Sequence, residues 1–386
     1  MASNRPSTLL LRVDGFGWQD CLATGPGSAI LGSLLFSALF PAPMSVKFLL
    51  RVAGTLLLAW AAAAACVALH TPLPWMLGPL VATSVLSMAG APTESWGPLR
   101  NGGQWAIGAA LGLYFTPEVS ALVGSLWWAI VLGIGWALLL GWGFGAWLYR
   151  LHAPRMHGVP ASMLRSTSYF AGAIGAASEM TLLSERENAR TDLVAASHSL
   201  RLLIVTITIP FALQWSGLQG LDILTPTVRE VSWPGLALLA LLTGAGALVM
   251  DRLGRANPWF MGAMLVSMAV TMAGLHLSAV PQAVVNAAQL VIGVSLGVRF
   301  RAEFLHTAPR WLASVAVGTF GLMGICAAFA AVLAWATGLP WVTLLLGTSP
   351  GGITEMAITA KVLQLGVPVV TAFQVCRLIA VLMLVG

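Results

Sequence analysis

The chain carries the same pattern twice. Pro74-Trp75-Met76-Leu77-Gly78 returns as Pro258-Trp259-Phe260-Met261-Gly262, 184 residues later. Ile107-Gly108-Ala109-Ala110-Leu111-Gly112 returns as Ile292-Gly293-Val294-Ser295-Leu296-Gly297, at an offset of 185. Glu179-Met180 precedes Arg201-Leu202 by 22 positions, and Glu355-Met356 precedes Arg377-Leu378 by the same 22. A duplicated unit must fold as two related halves that bury surface on each other. The pattern predicts an assembly built around a pseudo-twofold axis.

The composition says where that assembly sits. Of 386 residues 58 % are hydrophobic and only 8 % charged, against about 25 % charged in an ordinary soluble domain. So few charges cannot cover a water-exposed surface. Apolar runs succeed one another, many approaching the ~20 residues that cross a bilayer as a helix. The alternation of apolar and polar residues expected of a membrane barrel is missing. The fold class predicted is an all-α polytopic membrane protein. The net charge of +6 comes from arginines between spans, which fits cytoplasmic loops better than a nucleic-acid partner. The sixteen tryptophans suit the two membrane interfaces.

Residues 1–43 lack periodicity and read as a disordered tail or an extension from an upstream start. The first repeat is placed at 44–218 and the second at 230–386. Six apolar segments fall in the first: 48–70, 75–91, 101–116, 120–149, 159–180 and 192–214. Six more fall in the second: 234–253, 259–276, 284–300, 311–337, 339–361 and 368–386. The fifth of each set ends in polar residues and glycines, as a segment that enters the membrane and turns back would. If it does, each copy crosses an odd number of times and the second is inverted. Arg100, Arg150, Arg155, Arg165, Arg252, Arg255, Arg299, Arg301 and Arg310 then all face the cytoplasm, with the N-terminus and Lys47. If it crosses fully, the copies are parallel and the basic residues of the second face outward. The positive-inside bias favours the first arrangement: two inverted repeats with about ten transmembrane helices plus two re-entrant or broken helices, in a bacterial inner membrane.

The most specific local signal is Ser349-Pro350-Gly351-Gly352-Ile353-Thr354-Glu355-Met356. Proline ends a helix interior and glycine permits close backbone approach. In lipid, freed backbone groups must be buried in protein or line a wet cavity. A helix starting after the glycines would aim its positive N–H end at a ligand. The first copy reads Gly172-Ala173-Ile174-Gly175-Ala176-Ala177-Ser178-Glu179-Met180, with isoleucine for the proline; its break is expected to be softer. Glu179 and Glu355 would bind a cation or take up a proton, or lie near the surface. Arg201 and Arg377 would neutralise them, clamp an anion, or reach an interface. His198 and Gln374 stand one turn before those arginines and share their face; the histidine titrates or simply packs. Gly108/Gly112 and Gly293/Gly297 are small-xxx-small pairs suited to close helix crossing. The histidines and the four cysteines show no metal-site spacing, and no phosphate loop of the GxxxxGK[ST] kind is present.

The doubled PW-x-x-G, the IG-x-x-LG stretch and the PGG-x-x-EM followed by Q-x-x-R resemble the AbrB-duplication family of bacterial membrane proteins. Members are often labelled ammonia monooxygenase or AbrB family transcriptional regulator. The resemblance covers about residues 50–386. Pro350, Gly351, Gly352, Glu355, Met356, Gln374 and Arg377 match its pattern; the first copy matches at Glu179, Met180 and Arg201, with His198 for the usual glutamine. The monooxygenase label implies a metal site that these residues do not display. The regulator label implies an effect on gene expression, and is distinct from a small soluble DNA-binding protein of the same name. Three functions are therefore open. The first is a secondary transporter of a small molecule, an anion among the candidates, without a resident cofactor, coupled to Na+ or H+. Its site would comprise Ser349, Pro350, Gly351, Gly352, Thr354, Glu355, Gln374 and Arg377, with Ser178, Glu179, His198 and Arg201. The second is a membrane-embedded regulator or sensor. The third is a membrane monooxygenase. The expected partners are the lipid bilayer, a small-molecule substrate and other copies of the chain, not nucleic acid.

Overall fold

A computed structural model describes residues 45–385 apart from 155, 157, 158, 176, 218–229, 256 and 301–307. The expected tail of residues 1–43 lies outside the described residues, as does the linker between the copies. Residues 50–386 form one compact unit.

The described residues are helical throughout, with no strand. The first copy supplies α1 (Val46–Ala68), α2 (Pro74–Met88), α3 (Gly97–Gly112), α4 (Pro117–Ser125), α5 (Trp127–His152), α6 (Ala161–Gly172), α7 (Ala177–Arg186) and α8 (Thr191–Ser216). The second supplies α9 (Trp233–Arg252), α10 (Pro258–Met272), α11 (Gln282–Gly297), α12 (Pro309–Thr337), α13 (Trp341–Thr348), α14 (Ile353–Val362) and α15 (Val367–Val385). The two series run in parallel, α1–α3 answering α9–α11 and α6–α8 answering α13–α15. Helix α5 answers α12; at the 185-residue offset of the IG motif the positions answering α4 begin at 302 and fall mostly outside the described residues.

Sequence punctuation explains the boundaries. Prolines open α2, α4, α10 and α12 at positions whose N–H would have no helical partner. The residue before each PW motif takes the left-handed conformation, Leu73 at φ 48° and Asn257 at φ 51°. A proline disfavours the right-handed helical region for the residue before it, so the chain turns sharply into α2 and α10 at the same place in both copies.

Among the described residues five helices are long and apolar enough to cross a membrane: α1, α5, α8, α9 and α12. A sixth span results if α3 and α4, bent by 89° at their junction, are taken together. The helices α2, α10 and α11 have 15 or 16 residues, short of the ~20 of a full span. Large apolar side chains face outward on the long helices, among them Leu57, Trp60, Leu241, Val332 and Trp335. Water does not tolerate so continuous an apolar exterior; this is a helical membrane protein. Both fifth segments are interrupted: α6 and α7 are separated by 173–176, and α13 and α14 by 349–352. The first copy is interrupted over the same number of residues as the second, although isoleucine stands there in place of proline.

The copies are interleaved. Helix α3 crosses α10, and α11 crosses α2, through the small-xxx-small pairs. A Cβ on Gly108 would run into the Phe260 carbonyl, and one on Gly112 would stand 2.6 Å from the Met264 carbonyl oxygen. Reciprocally, a Cβ on Gly293 would lie 2.5 Å from the Met76 carbonyl oxygen and one on Gly297 2.9 Å from that of Leu80. Met76 and Phe260 hold the same place in the PW motif, as do Leu80 and Met264 four residues on. The same crossing is therefore made twice, with the copies exchanged. That reciprocity is why both motifs had to be duplicated together.

Candidate functional site

Each interrupted segment is held by an arginine from the last helix of its own copy. Helix α13 ends at Thr348, leaving carbonyls without helical partners. Arg377 of α15 donates from Nη1 to the Ser349 carbonyl at 2.6 Å and from Nη2 to the Gly351 carbonyl at 2.9 Å. Its Nη2 also donates to Gln374 Oε1 at 2.6 Å, while Gln374 Nε2 donates to the Leu346 carbonyl at 2.7 Å. In the first copy Arg201 of α8 donates from Nη1 to the Ala171 and Gly172 carbonyls, both at 3.2 Å, and from Nη2 to Ala173 at 2.8 Å. His198 Nε2 pairs with the Phe170 carbonyl at 2.9 Å, and its Nδ1 with Arg201 Nη2 at 2.9 Å.

The sequence leaves three roles open for these arginines, and the structure gives a fourth. They are not paired with the glutamates. They cap the negative C-terminal ends of α6 and α13, where a cation is favoured. Arg201 is 3 % exposed and Arg377 6 %, so the charges are desolvated, which is tolerable only because several carbonyls face each guanidinium.

The two breaks open on one cavity of about 140 Å³. From the second copy come Gly351, Gly352, Thr354, Glu355 and Arg377; from the first come Ile174, Gly175, Ala177 and Leu202. Helices α7 and α14 begin at its wall, at Ala177 and Ile353, so the positive ends of two helix dipoles lie beside it. Glu355, 7 % exposed, is the third residue of α14. Its carboxylate folds back over Gly352, occupying the space a Cβ there would need. It makes no ion pair among the described residues. Arg377 Nε and Asn257 Oδ1, both on residues lining the cavity, are buried without a hydrogen-bond partner among the described residues.

Two further arginines complete the lining. Arg100, at the start of α3, is half-buried, and Arg299, just past the end of α11, is exposed. The cavity is therefore open at their end and closed at the Glu355–Arg377 end. Its charged lining is three arginines against one glutamate.

Of the residues singled out in the sequence, Gly351, Gly352, Thr354, Glu355 and Arg377 meet at this cavity. Ser349 does not line it: its hydroxyl is engaged with the Leu346 carbonyl at 3.1 Å and Met356 Sδ at 3.2 Å. Pro350, Gln374, His198 and Arg201 shape the breaks from behind. Glu179 is half-buried and stays off the lining, and the Ser178 side chain lies outside the described residues. Arg100, Gln104, Asn257, Ser295 and Arg299 line the cavity without having been singled out as site residues. In the sequence Arg100 and Arg299 read as loop charges. The signal that would find them is their position at the ends of the short third helices, which the reciprocal glycine crossing brings to the breaks.

A family model described as "Transition state regulatory protein AbrB" matches residues 75–386. The chain is similar to a protein of Escherichia coli (strain K12) named "Putative regulator AbrB", 26 % identical over 321 residues that cover 82 % of this chain and 89 % of the relative. It is also similar to "Uncharacterized protein YhjN" of Bacillus subtilis (strain 168), 24 % identical over 337 residues, covering 80 % of this chain and 85 % of that protein.

Proposed function

The chain belongs to the AbrB family, and on that premise we propose that it is a secondary transporter of a small anionic molecule. The observation that carries this reading is the meeting of both interrupted segments at a single cavity. In inverted-repeat carriers, substrate and coupling ion bind where broken helices face each other near the middle of the membrane.

The chemistry of the lining suits an anion. Arg100 and Arg299 at the mouth attract it; the helix ends at Ala177 and Ile353, with Arg377 Nε, offer donors at the floor. Glu355 is the lone acid, the group to take up a proton or hold Na+ as the anion enters. The volume of about 140 Å³ is below the ~300–1,000 Å³ typical of drug-sized ligands, so the substrate has few non-hydrogen atoms. We take the copies as inverted in a bacterial inner membrane with the N-terminus cytoplasmic. The mouth at Arg100 and Arg299 then faces the cytoplasm, and the conformation is inward-open. No catalytic role is assigned to any residue; stoichiometric copper or iron in purified protein would argue for an enzyme instead.

The test is flux into proteoliposomes across a panel of small carboxylates and inorganic anions, with pH and sodium gradients applied separately. The reading expects one anion to be taken up under one gradient, and Arg299→Gln to raise its half-saturating concentration. Absence of flux and binding for every anion would overturn it. The names given to the family and to the Escherichia coli relative favour a second reading, a membrane-embedded regulator acting through a partner. It expects a transcriptional effect that survives when transport is abolished.

A further inference from the structure

We propose a binding site for an anionic phospholipid in the groove between α5 and α6, separate from the central cavity. The groove has a volume of about 330 Å³ and is lined by Trp142, Gly145, Tyr149, Arg150, Arg165 and Tyr169, with Ala146 between them. Trp142, Gly145, Ala146 and Tyr149 fall on one face of α5, and Arg165 and Tyr169 one turn apart on α6. The helices are drawn together at one point, where a Cβ on Gly145 would stand 2.9 Å from the Ser168 carbonyl oxygen. Beside that contact the larger side chains hold the helices apart and leave the groove.

Its polarity is graded along the helix. Arg150 lies in the last turn of α5, and Arg165 sits with its guanidinium carbon 5.5 Å from the centroid of the Tyr149 ring. Both arginines are exposed and neither has a carboxylate partner among the described residues. No acid occurs in the sequence between Glu118 and Glu179, so nothing on these two helices balances them. The Tyr149 ring lies at the same end, and Tyr169 stands one turn further along α6, where its Cα faces Gly145. Trp142, 65 % exposed, lies two turns toward the middle of the span, about 10 Å away at 1.5 Å per residue. A cationic end at the helix terminus and an apolar, aromatic floor running inward match an anionic headgroup and the start of an acyl chain. A soluble anion would use only the first half of the groove.

The experiment uses full-length protein, delipidated in detergent, with thermal unfolding followed as lipid is added. Phosphatidylglycerol is expected to raise the midpoint at roughly tenfold lower concentration than phosphatidylcholine. The double substitution Arg150→Gln and Arg165→Gln is expected to erase that preference, whereas Arg310→Gln, a cation outside the groove, keeps it. Soluble glycerol phosphate is expected to have no effect over the same range. Equal responses to both lipids, a preference that survives the double substitution, or full reproduction of the shift by glycerol phosphate would overturn the proposal. Should the double variant not fold, photoactivatable phosphatidylglycerol is cross-linked to the unaltered protein. Adducts mapping within 142–169 support the site, and adducts only elsewhere sink it.

Discussion

The two breaks share a scaffold and differ in content. Both end a short helix at the same register, and both are capped by an arginine whose neighbour three residues earlier links it to the helix. Both tuck a buried methionine against a glycine: a Cβ on Gly175 would meet Met180 Cε at 2.9 Å, and one on Gly351 would meet Met356 Cγ at 2.8 Å. Yet only the second copy turns its acid toward the cavity. There the pair Gly351-Gly352 leaves room for the Glu355 carboxylate to fold back. The first copy puts Ala176 where Gly352 stands, and Glu179 remains half-buried away from the lining. Both copies interrupt the helix, and the acid reaches the cavity lining in the second.

The largest expected effect tests the shared part. Arg377→Leu leaves the Ser349 and Gly351 carbonyls without their charged donor, and Arg201→Leu does the same to Ala171, Gly172 and Ala173. Each buried carbonyl left unpaired costs about 1–3 kcal/mol, so either substitution should lower the unfolding midpoint sharply and by a similar amount. A large loss for one and none for the other, read by thermal unfolding in detergent, would mean that the arginines are not equivalent anchors.

The acids should then separate the copies. Glu355→Gln is expected to abolish ion-coupled uptake or ligand binding, while Glu179→Gln changes either by less than a few-fold. Loss of a charged interaction of about 1.5–3 kcal/mol corresponds to roughly a ten- to hundredfold effect. Equal losses in both variants would show that the first copy carries an ion site of its own.

How much of this is legible in the sequence falls along the same division. The duplication, the helical membrane class and the break at Pro350–Gly352 can be read because each rests on local chemistry: repeated motifs, too few charges, a proline beside glycines. The break at 173–176 is harder to read in the sequence because its cause is not local. Without a proline, what stabilises the interruption is Arg201, some 28 residues away, facing the carbonyls of Ala171 to Ala173. Arg100 and Arg299 likewise look like loop charges, since only the crossing of α3 and α11 with the opposite copy's helices carries them to the cavity.

A glycine comparison gives a smaller effect. Gly352→Ala sets a methyl where the Glu355 carboxylate now lies, and overpacking of this kind costs about 1–3 kcal/mol. Gly351→Ala and Gly175→Ala meet only methionine side chains, which adapt readily. The expected order is a clear loss of ligand response for Gly352→Ala and a mild, matched destabilisation for the other two. A severe effect of Gly175→Ala on uptake would show that the first break contributes to the site as well.

The smallest expected effect concerns the neighbour of each arginine. Gln374 accepts from Arg377 through Oε1 and donates to the Leu346 carbonyl through Nε2. His198 does the same with two ring nitrogens, Nδ1 accepting from Arg201 and Nε2 donating to the Phe170 carbonyl. The donation to a carbonyl places the proton on Nε2 and leaves the Nδ1 lone pair for the guanidinium. Histidine here is a geometric substitute for glutamine, so the titrating role left open by the sequence is not needed. His198→Gln should therefore shift stability by less than about 1 kcal/mol, the range of a well-matched hydrogen-bond exchange, and leave the pH dependence of uptake unchanged. His198→Leu, with no donor or acceptor, should destabilise nearly as much as loss of Arg201 itself. A pH profile that moves in the glutamine variant while its thermal stability holds would restore His198 as a proton-handling group, and would give the first copy a chemical role of its own.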